Sequence, residues 1–334
     1  MKVTQQEDKK TRSGTRTSKV LKILLKIIGA ILAAIVLFLA IVYSTDKISS
    51  HSEQKRLEPY GQTVAVDGKS MNVFIQGKGE ETVVLLPGFG TAAPALDFKP
   101  LIEELSPFYK VVAVEPFGYG LSDGTGKERT TENIVSEIHE ALQSLQIDKY
   151  ILMAHSISGI YGLHYVNKYP NEVSAFVGLD SSVPALSEKR FSSSEIETVK
   201  LLKKSGFTRL LTKPDMGVYV DLPYDNQTIE QIKILMYKNM YNPNQLNEIE
   251  NMHANFTRAE NSTFPTNLPV IFFIQANHPA ADRWIPEHEK QIKDSVHGKV
   301  VLLEAEHYLY RSHSKEITEN FRKFMKEIKE VKLP

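Results

Sequence analysis

The sequence predicts an α/β fold: a mostly parallel, eight-stranded sheet with helices on both faces, a helical insertion, and one membrane-spanning helix ahead of it. Three observations predict this. Short apolar runs alternate with stretches of helical periodicity along most of the chain. Residues 183–266 interrupt the alternation with amphipathic segments only. A charge-free run, Ile27–Val42, precedes everything else.

Residues 1–19 are polar and basic, and Lys22 and Lys26 continue the basic face. From Val20 to Tyr43 the stretch is about 24 residues, against the roughly 20 that a helix rising about 1.5 Å per residue needs to cross about 30 Å of hydrocarbon. The two lysines can snorkel to headgroups, and Tyr43 suits the opposite interface. The long basic lead and the absence of a clean A-x-A site favour an anchor over a cleaved signal. The basic flank places residues 1–19 in the cytoplasm as a tail, residues 20–43 in the lipid bilayer of the cell membrane as a single pass, and the rest outside. Residues 44–59 read as a polar linker, and 60–334 as the main domain.

That domain opens with a hairpin, Thr63–Val66 and Met71–Ile75 around Asp67-Gly68. Thr82–Leu86 and Lys110–Val114 are buried-strand runs, with Leu96–Leu105 helical between them. Thr131–Leu145 has helical spacing with Thr130 or Thr131 as cap. Tyr150–Met153 and Ser174–Leu179 are strands flanking a helix at 158–169. Val270–Ile274, a helix at about 286–296, Lys299–Leu303 and a helix at about 314–329 complete the alternation. Within the insertion, Ile196–Leu202, Ile229–Met240 and Leu246–Met252 are amphipathic, as a lid over the strand ends requires.

Composition narrows the chemistry. The 334 residues carry 40 basic and 40 acidic side chains and no cysteine. A basic excess for nucleic acid is absent, and disulfides, thiolate metal sites and a cysteine nucleophile are excluded. The sequence holds no glycine-rich loop followed by lysine and no metal-ligand cluster, so no cofactor is implied.

After the strand ending at Met153 comes Ala154-His155-Ser156-Ile157-Ser158-Gly159, then a helix. This resembles the nucleophile elbow of α/β-hydrolases, with Ala154 and Ser158 where glycine is usual. Leu85-Leu86-Pro87-Gly88-Phe89-Gly90 resembles the family's H-G-x-G loop, with proline for histidine. Glu115-Pro116-Phe117-Gly118-Tyr119-Gly120-Leu121-Ser122-Asp123 resembles its D-x-x-G-x-G-x-S turn, which shapes a loop and does no chemistry. Glu304-Ala305-Glu306-His307 resembles the segment carrying the catalytic histidine. The resemblance runs from about Tyr60 to the C-terminus, with the motifs in family order.

The resemblance implies a serine hydrolase, esterase- or lipase-like, acting on a small-molecule or acyl-chain substrate. Ser156 is the implied nucleophile, His307 its base, and the backbone N–H groups of Phe89 and Ile157 the oxyanion hole. Relatives that open epoxides or haloalkanes use aspartate as nucleophile, and Ser156 argues against both. His155 is expected to be structural and His164 to pack, while His278, His288, His297 and His313 are expected on solvated surfaces. The acid has two candidates. Asp180 ends a strand adjacent to the elbow strand and is favoured; Asp282 lies after the next strand, where most of the family has its acid. The altered elbow and the missing carboxylate at that usual position also allow another class of function, a membrane-tethered binding protein on a decayed hydrolase fold.

Overall fold

A computed structural model describes residues 7–185 and 190–331, with side chains for 18–185 and 190–330. A long helix, α1 (Glu7–Gln54), leads into an antiparallel hairpin, β1 (Gln62–Val66) and β2 (Lys69–Gln76). Asp67 and Gly68 both take positive φ, 50° and 71°, which suits the right-handed twist of the strands they join. The alternation follows: β3 (Thr82–Leu86), α2 (Pro94–Asp97), α3 (Lys99–Leu105), β4 (Lys110–Glu115), α4 (Thr131–Ser144), β5 (Tyr150–His155), α5 (Ser158–Lys168) and β6 (Val173–Leu179). The insertion holds α6 (Ser193–Lys204), α7 (Phe207–Leu211), α8 (Asn226–Asn239) and α9 (Pro243–Ala259). The chain ends with β7 (Val270–Gln275), α10 (Ala281–Ile292), β8 (Gly298–Leu303) and α11 (Ser314–Val331). Thr130 caps α4, its hydroxyl accepting from the Asn133 N–H.

Among the described residues the sheet has eight strands in the order β1-β2-β4-β3-β5-β6-β7-β8. β1, β2 and β4 pair antiparallel in that order; from β4 onward every pairing is parallel. β3 is buried along its whole length because both faces are covered, which is why it is continuously apolar. Its side chains alternate between two cores. Val84 and Leu86 join Ile134, Ile138, Ile160 and Leu163 from α4 and α5. Val83 and Leu85 join Phe98 and Leu101 on one side of α3, and Phe321 and Phe324 of α11. The chain crosses from β4 over β3 to β5, so loops leave the carboxyl ends of β3 and β5 in opposite directions and open a crevice there.

Three elements differ from the sequence reading. The helix expected at Leu96–Leu105 is two, α2 and α3, which meet at Phe98. The polar linker proposed at 44–59 is helical as far as Gln54. It contains neither proline nor glycine before Pro59, and Asp46 and Glu53 are fixed by Arg209 at 3.1 and 2.6 Å. The helix expected at 286–296 runs instead from Ala281 to Ile292, with Pro286 inside it. Proline marks a helix start by rule, but here buried bonds made by Trp284 and His288 hold the preceding turn. The helix α1 is long and apolar enough to cross a membrane, and its apolar run is almost wholly exposed, so it is no core helix of this chain.

Candidate active site

The elbow is built at the end of β5. Ser156 has φ 52°, a left-handed conformation that a side chain rarely tolerates, and α5 begins two residues later. Crowding explains the small neighbours. A Cβ on Gly88 would lie 2.5 Å from His155 Nδ1 and 2.9 Å from Ser156 Cβ, and one on Gly159 would lie 2.4 Å from the Ser182 carbonyl oxygen. Ser158 fits where the family prefers glycine because its hydroxyl donates to the Pro87 carbonyl at 2.5 Å. That bond ties the elbow to the loop carrying Gly88 and Phe89. Among the described residues, the N–H groups of Phe89 and Ile157 have no hydrogen-bond acceptor.

His307 lies four residues beyond β8. Its Nε2 is 3.0 Å from Ser156 Oγ, and its Nδ1 is 2.6 Å from Asp180 Oδ2. An ionised carboxylate only accepts, so Nδ1 carries the proton and Nε2 is free to accept from the serine. Asp180 follows β6 directly, with φ 42°, and its register against β5 pairs His155 with Leu179. Its second oxygen accepts from the Gln275 N–H and from the Trp284 indole, each at 3.0 Å. Burial alone would raise its carboxyl, but the bonds from His307, Gln275 and Trp284 outweigh that and hold it below the ordinary aspartate value. The side chain of Asp180 is fully buried, whereas that of His307 is 44% exposed, so the serine–histidine pair faces an open crevice.

The structure thus brings Ser156, His307 and Asp180 together. Asp282 is exposed in the first turn of α10 and is not the partner of His307. Glu115 is buried and accepts from Tyr60, Asn72 and the N–H groups of Ala95 and Leu121, the loop-shaping role expected of it. His155 is fully buried, and its Nε2–H donates to the His307 carbonyl at 3.1 Å. Burial and the neighbouring His307 push its imidazole down to about 3, so it stays neutral. The expectations for two other histidines are corrected. His288 is wholly buried, its two ring nitrogens 2.7 and 2.8 Å from the carbonyl oxygens of Trp284 and Ser181, one of which accepts the single N–H of the neutral ring. His164 does not pack but pairs with Glu132 at 2.7 Å on the surface. His278, His297 and His313 are part-exposed.

Sequence reasoning missed the supports. Trp284 is the chain's one tryptophan, and that rarity was the available signal. The loop after His307 is clamped by Arg311, whose guanidinium meets buried Asp97 at 2.7 Å and lies 3.8 Å from the Tyr308 ring centroid. Tyr219, from the insertion, donates to the same carboxylate at 2.9 Å. Beside the crevice, Phe89 shares an apolar trough of about 510 Å³ with Ile196 and Val199 of α6 and Leu246 and Ile249 of α9. Among the described residues no histidine–carboxylate group is arranged to hold a metal ion.

Comparison with known proteins agrees with this architecture. The family described as alpha/beta hydrolase fold matches residues 81–204. An uncharacterized protein, YbdG of Bacillus subtilis, is 31% identical over 74% of this chain and 78% of its own length. The human serine hydrolase BPHL is 30% identical over 34% of this chain and 40% of its own. Among solved structures, the epoxide hydrolase VrEH1 of Vigna radiata superposes with a TM-score of 0.61 at 18% identity, over 82% of this chain and 99% of that one.

Proposed function

This chain belongs to the α/β-hydrolase fold family, and we propose that it is a membrane-tethered serine hydrolase that cleaves an ester or related acyl bond. The observation that carries the reading is the unbroken line from Ser156 Oγ through His307 to buried Asp180. Ser156 attacks the substrate carbonyl as His307 Nε2 takes its proton; the carbonyl oxygen becomes an oxyanion held by the N–H groups of Phe89 and Ile157. His307 then returns the proton to the leaving alcohol, leaving an acyl-enzyme. Water, deprotonated by the same histidine, attacks that acyl group; the acid is released and Ser156 regains its proton. Asp180 keeps the proton on Nδ1 and stabilises the imidazolium without becoming protonated itself. The trough beside Phe89 suits an apolar acyl group, and residues 183–266 act as its lid. Residues 20–43 span the membrane, residues 1–19 stay inside, and the hydrolase domain lies outside.

The chemistry is tested by ester turnover of full-length Ser156→Ala and His307→Ala, with circular dichroism as the folding control. Both are expected to lose nearly all activity while folding normally; full activity in either rejects the assignment. The topology is tested by adding protease to intact cells or spheroplasts. The domain should be degraded, and its complete protection rejects the outside placement.

A further inference from the structure

The lid and the anchor helix touch at the depth where α1 is still apolar. The Phe207 ring of α7 meets the Phe38 ring edge-on, centroids 6.0 Å apart. Phe38 lies four residues before Val42, the last aliphatic residue of the run, and so about 6 Å further along the helix axis into it. Val42 is only 9% exposed, while its neighbours Ile41 and Tyr43 are open. At Gly206, which packs there, a Cβ would approach Asp46 Cβ to 2.8 Å and the Val42 carbonyl to 3.1 Å. One turn outward the contact becomes ionic. Arg209 forks onto Glu53 at 2.6 and 2.7 Å, reaches Asp46 at 3.1 Å, and lies 4.1 Å from the Tyr237 ring centroid. Lid and anchor are therefore held in one orientation, apolar contact on the membrane side and ion pairs on the water side.

α7 is only five residues long, so the rest of it lies within about 6 Å of Phe207 along the helix axis. Leu210 and Leu211 are 50% and 66% exposed, within a turn or so of Phe207, and Leu201 of the adjoining α6 is equally bare. Exposed lysines, Lys204 and Lys213, flank them. An apolar tip rimmed by lysines, attached to a helix at the end of its apolar run, has the composition of a segment that lies in the headgroup boundary. We propose that the lid face formed by Leu201, Leu210 and Leu211 docks into the same bilayer that α1 crosses. The partner is the lipid surface, and the inference rests on the reading of α1 as a membrane span.

The absence of cysteine makes the test clean, because single-cysteine variants can be labelled at one site each. Full-length Leu211→Cys, Leu32→Cys and Val296→Cys would each carry a nitrobenzoxadiazole dye and be reconstituted in phosphatidylcholine–phosphatidylglycerol vesicles. Vesicles carry spin-labelled lipids with the quencher either near the headgroup or near the acyl-chain end. All three positions are exposed, so labelling leaves the fold intact. Dye at position 211 should lose most of its fluorescence to the shallow quencher, dye at 32 to the deep one, and dye at 296, an exposed apolar site between α10 and β8, to neither. Quenching at 32 with position 211 behaving like 296 overturns the docking while leaving the anchor intact. Equal quenching at 211 and 296 also overturns it, since the dye alone then enters lipid. No quenching at 32 rejects the membrane span itself, and the docking falls with it. A blue-shifted, unquenched dye at 211 whose shift depends on protein concentration assigns the face to a second copy of the chain and overturns the lipid proposal.

Discussion

Two buried carboxylates, one at the carboxyl edge of the sheet and one in the helical insertion, are shifted in opposite directions. Asp180 stands at the end of β6 and Glu248 on α9; both are out of water. Burial pushes both upward. Asp180 meets His307, a backbone N–H and an indole N–H, and falls below the ordinary range. Glu248 meets the hydroxyls of Tyr161 and Tyr119, each at 2.7 Å, and stays raised. The two regions are also bound together differently. The sheet is closed by apolar layers, whereas the insertion grips the backbone of residues 118–131 with a row of amides: Asn242 Nδ2 donates to the Gly118 carbonyl at 2.7 Å, Asn244 Nδ2 to that of Thr125 at 2.8 Å, and Asn255 Nδ2 to that of Arg129 at 3.1 Å. An ionised acid with a histidine partner suits a place where charge develops. Amide clasps and a carboxyl that resists ionisation suit an attachment that must only hold.

The comparison is broken most severely at Asp180. Asp180→Asn should lower ester turnover by about 10⁴ with the fold retained, as removing the charge behind a triad histidine does. Asp282→Asn should leave turnover unchanged. A severe Asp282 variant beside a mild Asp180 variant would move the acid to the loop after β7.

Stability should separate the regions next. Phe272 is buried against Phe176 and Phe264 in the sheet core, so Phe272→Ala should cost about 3–5 kcal/mol in urea unfolding. Asn255→Ala strands the Thr131 N–H and the Arg129 carbonyl, and should cost about 1–3 kcal/mol. Limited proteolysis should then cut the Asn255 variant within residues 183–266 before the core. Equal costs with a common first cut would mean that core and insertion unfold as one unit.

The smallest effect is a matter of sign. Because the Glu248 carboxyl is raised, the folded chain keeps a proton that the unfolded chain has released just above the ordinary glutamate value. Stability therefore falls as pH rises through that window. Glu248→Gln does not titrate, so its stability relative to the wild type should improve over the same rise. Asp180 has the opposite slope: its contribution is present above the ordinary aspartate value and is lost as pH falls through its lowered one. Urea midpoints measured across acidic pH check both.

What was legible in the sequence follows the same division. Strands buried on both faces appear as plain apolar runs, so β3 to β7 could be placed to within a residue or two, and the half-exposed edge strand β8 was apolar enough to be placed as closely. Ser156, Asp180 and His307 sit at or just beyond strand ends, and the adjacency of β5 and β6 was enough to prefer Asp180 over Asp282. Features that depend on a polar side chain meeting a distant partner were not legible. The asparagines of α9 have the pattern of a solvated helix face. His288 and Trp284 lie around Pro286, which disguised the start of α10, and only the fold shows them supporting Ser181 and Asp180. The extension of α1 to Gln54 depends on Arg209, more than a hundred residues away in sequence.

The central claim is that Ser156 is an activated nucleophile, and covalent labelling tests it most directly. Full-length protein treated with a fluorophosphonate should lose fluoride from the probe as Ser156 Oγ bonds to phosphorus, and peptide mass spectrometry should place the adduct on Ser156. Labelling should vanish in Ser156→Ala, slow markedly in Asp180→Asn and proceed normally in Asp282→Asn. A folded wild-type protein that takes no label, or takes it on another serine, would contradict the account and favour a binding protein on a hydrolase fold.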